Sequence, residues 1–270
     1  MKTPILTLYE LDPQVIAFSS TRHGGYSMGS YGEFNINHYC GDDENAIARN
    51  REALCQLLGI GDDCLLMPHQ VHRADVACID ASFFTLTPAE RKEKLEGIDA
   101  VMTNLQGVCI GVSTADCIPI LLYDQQKHVV AAVHAGWRGT MQRIAKKAVE
   151  TMKATYGSSP SDLLAQIGPG ISLQSFEVGQ EVYDAFAAEG FCMEKISQLM
   201  PSSQGIGNEE KWHIDLPACN RLQLLEAGLQ NEQIHTLPVC TYEQHADYFS
   251  ARRLGINSGR IFTGIMLKEE

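Results

Sequence analysis

Residues 108–140 read VCIGVSTADCIPILLYDQQKHVVAAVHAGWRGT. Three closely spaced apolar runs fill the stretch: VCIGVS, CIPILLYD and HVVAAV. Short apolar runs of this β-branched character read as buried strands. Two of them carry a reactive group at one end: Cys117 opens CIPILLYD, and His134 follows HVVAAV. AGWRGT comes next, a small-residue turn with Arg138, and then a helical pattern. A thiol, an imidazole and a helix N-terminus delivered by strands make a site at which the rest of the chain can be aimed.

Upstream, residues 5–21 read as two short strands around Asp12-Pro13. A loop rich in Gly, Ser, Asn and Tyr follows from Arg22 to Asp43, and loops this long are often functional. ENAIARNREALCQLL is an amphipathic helix closed by Gly59. CLLMPHQVHRADVACID reads as extended, interrupted at Pro68; residues 82–97 are polar, a solvated helix or loop; GIDAVMTN is a short strand. Downstream, periodicity predicts one helix over Thr140–Thr155, ending at Gly157. DLLAQIGPGIS is a strand, 177–190 a helix, and PSSQGIGNEEKW a polar loop. A further helix ends at Gly228, and strands at IHTLPVCT and near the C-terminus complete the pattern. Without a strict βαβ repeat, internal repeat or biased linker, the expectation is one α+β domain spanning 1–270 with mixed β-sheets.

The 270 residues carry a net charge of −12. An acidic chain argues against nucleic acid or an anionic membrane as the main partner. No apolar run is long enough to span a bilayer, and MKTPILTLYELD does not read as a signal peptide, so the expected compartment is the cytoplasm. The nine cysteines include no C-x-x-C pair and read as reduced thiols. Neither G-x-G-x-x-G nor a P-loop motif is present.

His69 and His72 form an H-x-x-H. On extended backbone, residues three apart point to opposite faces, so one of the pair at most reaches a given site. His72, Cys117 and His134 joined in space would make a three-ligand set with one tetrahedral position open, the pattern of catalytic zinc. Such a site can activate water. From the residues alone, a metal-free Cys117/His134 dyad is an equal contender. A copper phenol oxidase needs several sites rich in clustered histidines, and nine histidines with one close pair supply one mononuclear site at most.

The segments STRHGGYS, GDD, HQVH, DAVMTN, TADCIPILLYD, AAVHAGWRGT, IGPGIS, FEVG, HIDL, FSARR and GR occur in order across residues 15–264. Together they resemble the YfiH-like family, named for multicopper polyphenol oxidoreductases (laccases) and regarded as purine nucleoside phosphorylases with adenosine deaminase activity. The resemblance implies a layered α/β/β/α fold and a metal, Zn2+ or else Cu2+, held by His72, Cys117 and His134, which would also carry catalysis. It implies phosphorolysis of adenosine, inosine and S-methyl-5'-thioadenosine, and deamination of adenosine to inosine. Purine nucleosides and inorganic phosphate would be the partners, and a monomer is expected, with a homodimer the alternative. Arg22, Asn35, Arg138, Ser250 and Arg252 map to further family positions and are expected to line the substrate pocket. The AGWRGT turn would be its anion-binding wall, and Asp116 a proton carrier. Ser175 and Ala251 depart from the usual pattern at positions that touch substrate shape rather than the ligand set.

Overall fold

The computed structural model describes residues 2–202 and 210–269. Strands β1 (Leu6–Tyr9) and β2 (Val15–Ser20) precede helix α1 (Glu44–Leu58). Then come β3 (Leu65–Leu66), β4 (Val76–Ile79), α2 (Pro88–Lys94), β5 (Ala100–Thr103), β6 (Cys109–Thr114), β7 (Ile118–Asp124) and β8 (Val129–Ala135). Helices α3 (Trp137–Met141) and α4 (Ile144–Tyr156) lead to β9 (Leu163–Ile167), β10 (Glu177–Val178), α5 (Gln180–Ala188) and α6 (Met193–Ile196). The chain ends with β11 (Ser197–Pro201), β12 (Glu210–Ile214), α7 (Leu216–Glu226), β13 (Ile234–Thr236), α8 (Ala251–Leu254) and β14 (Ile261–Leu267).

Two mixed sheets carry the architecture, in the orders β1-β2-β14-β6-β3 and β13-β9-β7-β8-β5-β4; a smaller sheet runs β10-β12-β11. Every residue of β6, β7 and β8 is buried, which explains their unbroken apolar character. Along β8, Val129, Ala131, Val133 and Ala135 face a core shared with α4 and α7, while Val130 and Ala132 face the other large sheet. Along β14, Ile265 and Leu267 join that inter-sheet core, and Phe262 and Met266 turn outward onto Leu54 and Cys55 of α1. The period-two alternation of strands therefore builds four layers, α/β/β/α, as the family resemblance implies. No helix among the described residues is long and apolar enough to cross a membrane.

Three local readings change. The helix expected over Thr140–Thr155 is two helices, α3 and α4, because Arg143 takes a left-handed conformation (φ 61°) between them. Its guanidinium is held there by Glu226, the carbonyl of Glu189 and the ring of Phe191. Around His69–His72 the chain is a loop rather than a strand, with His72 at φ 62°. The polar loop expected over 201–212 falls mostly on 203–209, outside the described residues; its flanks pair as β11 and β12, with Pro201 opposite Glu210.

Candidate metal centre

The β7–β8 register places Ile118 opposite Ala135 and Pro119 opposite His134. Cys117, one residue before β7, thereby lies beside the end of β8. The loop carrying His72 supplies a third group, and the donor atoms of His72, Cys117 and His134 all lie within 4.8 Å of one another. The two imidazole rings meet edge to face at 4.8 Å and 79°. Donors on a tetrahedral Zn2+ sit roughly 3.5 Å apart, so the cluster is ion-sized. Gly136 makes room for it: a Cβ there would stand 2.9 Å from His72 Cδ2 and 3.1 Å from Cys117 Sγ. His134 is buried, Cys117 half-buried and His72 exposed, so the set opens toward solvent on the His72 side.

A buried carboxylate that the sequence reading did not single out organises the cluster. Asp99, at the start of β5, accepts from His134 Nδ1 at 2.7 Å, from the N–H of His72 at 3.0 Å and from the N–H of Arg73 at 2.7 Å. These bonds replace a strand ladder and explain the loop at His72. They also put the proton of His134 on Nδ1 and leave Nε2 for a ligand, as carboxylate–histidine pairs do at metal sites. Burial opposes ionisation of Asp99, but the hydrogen bond and charge of His134 and the backbone donors hold its carboxyl below the usual range.

Burial alone would raise the Cys117 thiol; the charge of His134 and hydrogen bonds from both histidines outweigh it and bring the thiol down to about 6. Burial would lower His134, but Cys117 and Asp99 together raise it. A cysteine held as thiolate is the form that binds a metal or acts as a nucleophile.

The three residues line a cavity of about 320 Å³ with Asn37, Tyr39, Cys40, His69, Gln70 and Arg260 among its other walls. That volume lies at the lower end of the roughly 300–1,000 Å³ of ligand pockets. The described lining contains Arg260 and no Asp or Glu, against a chain charge of −12. The structure brings the three expected ligands together, but none of the five expected substrate contacts is in the described lining. Arg22 donates to the carbonyls of Gly32 and His245. Asn35 is fully buried, bonded to Asp42 and to the N–H of Arg260. Ser250 caps α8 through the N–H of Arg253. Arg138 lies over the Trp137 ring, and α3 is a short helix of five residues. Arg252 adjoins the cavity through its neighbour Ala251, and donates to the carbonyl of Glu177. Asp116 spends one carboxylate oxygen on the Thr241 hydroxyl and the other on the N–H of Arg252, both at 2.7 Å, so it anchors the chain rather than offering a proton route.

Residues 16–268 match the family described as multi-copper polyphenol oxidoreductase laccase. The chain belongs to that family. Among its relatives, a purine nucleoside phosphorylase of Bacteroides thetaiotaomicron is 43% identical, with 93% of this chain and 90% of the relative covered. Adenosine deaminase RL5, from an unknown prokaryotic organism, is 44% identical, with 94% of each covered. Of solved structures, the hypothetical protein YfiH of Bacillus licheniformis superposes with a TM-score of 0.88 at 28% identity, covering 98% of this chain and 97% of that one.

Proposed function

We propose that the cavity is the active site of a metal-dependent purine nucleoside phosphorylase acting on adenosine, inosine and S-methyl-5'-thioadenosine, and that the same site deaminates adenosine to inosine and ammonia. The products of phosphorolysis are the free base and ribose 1-phosphate, or its methylthio analogue. The supporting observation is the convergence of His72, Cys117 and His134 in the wall of one ligand-sized cavity. Relatives 43% and 44% identical that carry the names of these two activities point the same way. A metal on those three residues supplies Lewis-acid activation of water and substrate oxygens. Asp99 fixes the ring of His134, Gly136 keeps the ligands close, and the guanidinium of Arg260, itself held by the carbonyls of Ser258, Gly259 and Ile256, adds positive charge to the wall that an incoming phosphate would meet.

Zn2+ fits better than a blue-copper arrangement. Copper held by two histidines and a cysteine ordinarily takes a weak axial Met or Gln. The described lining has no Met, and the amide of Gln70 is committed to the backbone of Ser113 through Nε2 (2.8 Å) and Oε1 (2.7 Å). Among the described residues, this is the one three-donor group of His, Cys, Asp or Glu, whereas a multicopper phenol oxidase uses several centres.

A metal-free hydrolase is the second reading, favoured by one observation: Cys117, His134 and Asp99 run in the nucleophile–base–carboxylate order of a thiol triad. Chelation separates the two. Loss of adenosine and inosine turnover on exhaustive metal removal, restored by Zn2+, supports the metal reading. Full turnover by metal-free protein, abolished by a thiol alkylator, would replace it.

A further inference from the structure

The first histidine of the H-x-x-H pair stands outside the metal-ligating group yet lines the same cavity. Both its main chain and its ring are held. The N–H of His69 donates to the carbonyl of Leu95 at 3.0 Å, and its carbonyl accepts from the N–H of Gly97 at 3.0 Å. The ring stacks on Tyr39, centroids 4.0 Å apart and 22° from parallel. Nδ1 lies 2.6 Å from Glu96 Oε1. A carboxylate only accepts, so Nδ1 is the donor in this pair, and a second proton on Nε2 makes the ring a donor toward the cavity as well. Nε2 has no protein partner among the described residues. The stack on Tyr39 and the bond to Glu96 fix the ring, and a proton donor to a ligand in the cavity must be held in position.

We propose that His69 is the proton donor to the departing purine during phosphorolysis, with Glu96 and Tyr39 positioning it. This rests on the phosphorylase reading above. A phosphate oxygen forms a bond to C1′ of the ribose as the C1′–N9 bond breaks, and the bonding pair leaves with the base. The Nε2 proton passes to N7 of that base, which departs neutral, and His69 regains a proton from solvent. Charge relief on the leaving group by a positioned acid contributes roughly 10²–10⁴-fold to such a step.

The test compares inosine with 7-methylinosine, whose N7 already carries a methyl group and positive charge, so its base leaves without needing a proton. Phosphorolysis of both is measured for wild type, His69→Gln and Glu96→Gln, with metal content recorded for each protein. For His69→Gln the expected result is a loss of roughly 10²-fold or more in kcat on inosine, wild-type-like kcat on 7-methylinosine, and undiminished metal. Glu96→Gln should lose less, again on inosine only. Equal losses on the two substrates, or none on either, would overturn the role of His69 while leaving the phosphorylase reading intact. A wild-type protein that cleaves neither nucleoside would overturn that reading, and this proposal with it.

Discussion

Asp99 ties two distant pieces of chain together: it accepts from backbone N–H groups at Val71, His72 and Arg73 and from the imidazole of His134. Asp99→Asn keeps the shape but removes the charge and one acceptor oxygen. It should weaken metal affinity by about 10–100-fold, as loss of such supporting carboxylates does. Competition with a chromophoric chelator measures this, and unchanged affinity would remove Asp99 from the support of the site. The thiol gives a second residue-scale prediction. Because the folded-state value of Cys117 is lowered to about 6, it is protonated and unreactive below that pH and thiolate above it. In metal-free protein the rate of its alkylation by iodoacetamide should fall as pH drops through about 6, and His134→Ala should move the midpoint up toward the ordinary ~8.5 of a free thiol. A wild-type midpoint already at the ordinary value would contradict the ion pair. Cys117 and His134 stand out in the sequence at the ends of apolar runs, whereas His72 joins them as a ligand set only through the family resemblance. Asp99 does not stand out, because what it does is accept from backbone groups of a distant loop, and no side-chain pattern displays that. The family resemblance implies Arg22, Asn35 and Ser250 as pocket residues, and what their side chains touch is likewise hidden in a sequence. Their polar side chains are spent on carbonyls, a carboxylate and a helix cap that a sequence does not show.

At the scale of elements, the strand hydrophobicity was readable and the joints between elements were not. β6, β7 and β8 announce themselves as continuous apolar runs because both faces are covered. The break between α3 and α4 is hidden, since Arg143 is an ordinary helix former whose left-handed backbone is paid for by tertiary contacts. The loop at His72 was read as extended for a similar reason, although the conclusion drawn, that His69 and His72 do not share the ligand set, agrees with the geometry. The joint between β8 and α3 carries the sharpest element-scale prediction. In Gly136→Ala the new methyl would press on His72 and Cys117, which stand 2.9 and 3.1 Å from its position. That variant should keep the far-UV circular dichroism of the wild type while losing most of its bound metal. Full metal occupancy in Gly136→Ala would mean that the ligands do not converge as described.

At the scale of the whole molecule, four layers follow from the alternation of side chains along strands such as β8 and β14. The layers were legible only through family resemblance. The order of strands depends on long-range pairings such as β14 between β2 and β6, which local periodicity cannot specify. The inter-sheet core should dominate stability. Leu121 is fully buried there, so Leu121→Ala should cost about 2–5 kcal/mol in urea unfolding. Leu57→Ala, on the exposed side of α1 at 48% exposure, should stay within about 0.5 kcal/mol. Equal costs would place the core elsewhere. The stable double sheet matters to function because it fixes the ends of β7 and β8, and with them Cys117 and His134. The most direct test of the account is metal content and product identity for wild type and Cys117→Ala incubated with adenosine and phosphate. The account predicts bound Zn2+ with adenine, inosine and hypoxanthine from the wild type, and a folded Cys117→Ala that holds no metal and forms none of the three. Both reactions persisting in metal-free Cys117→Ala would contradict it.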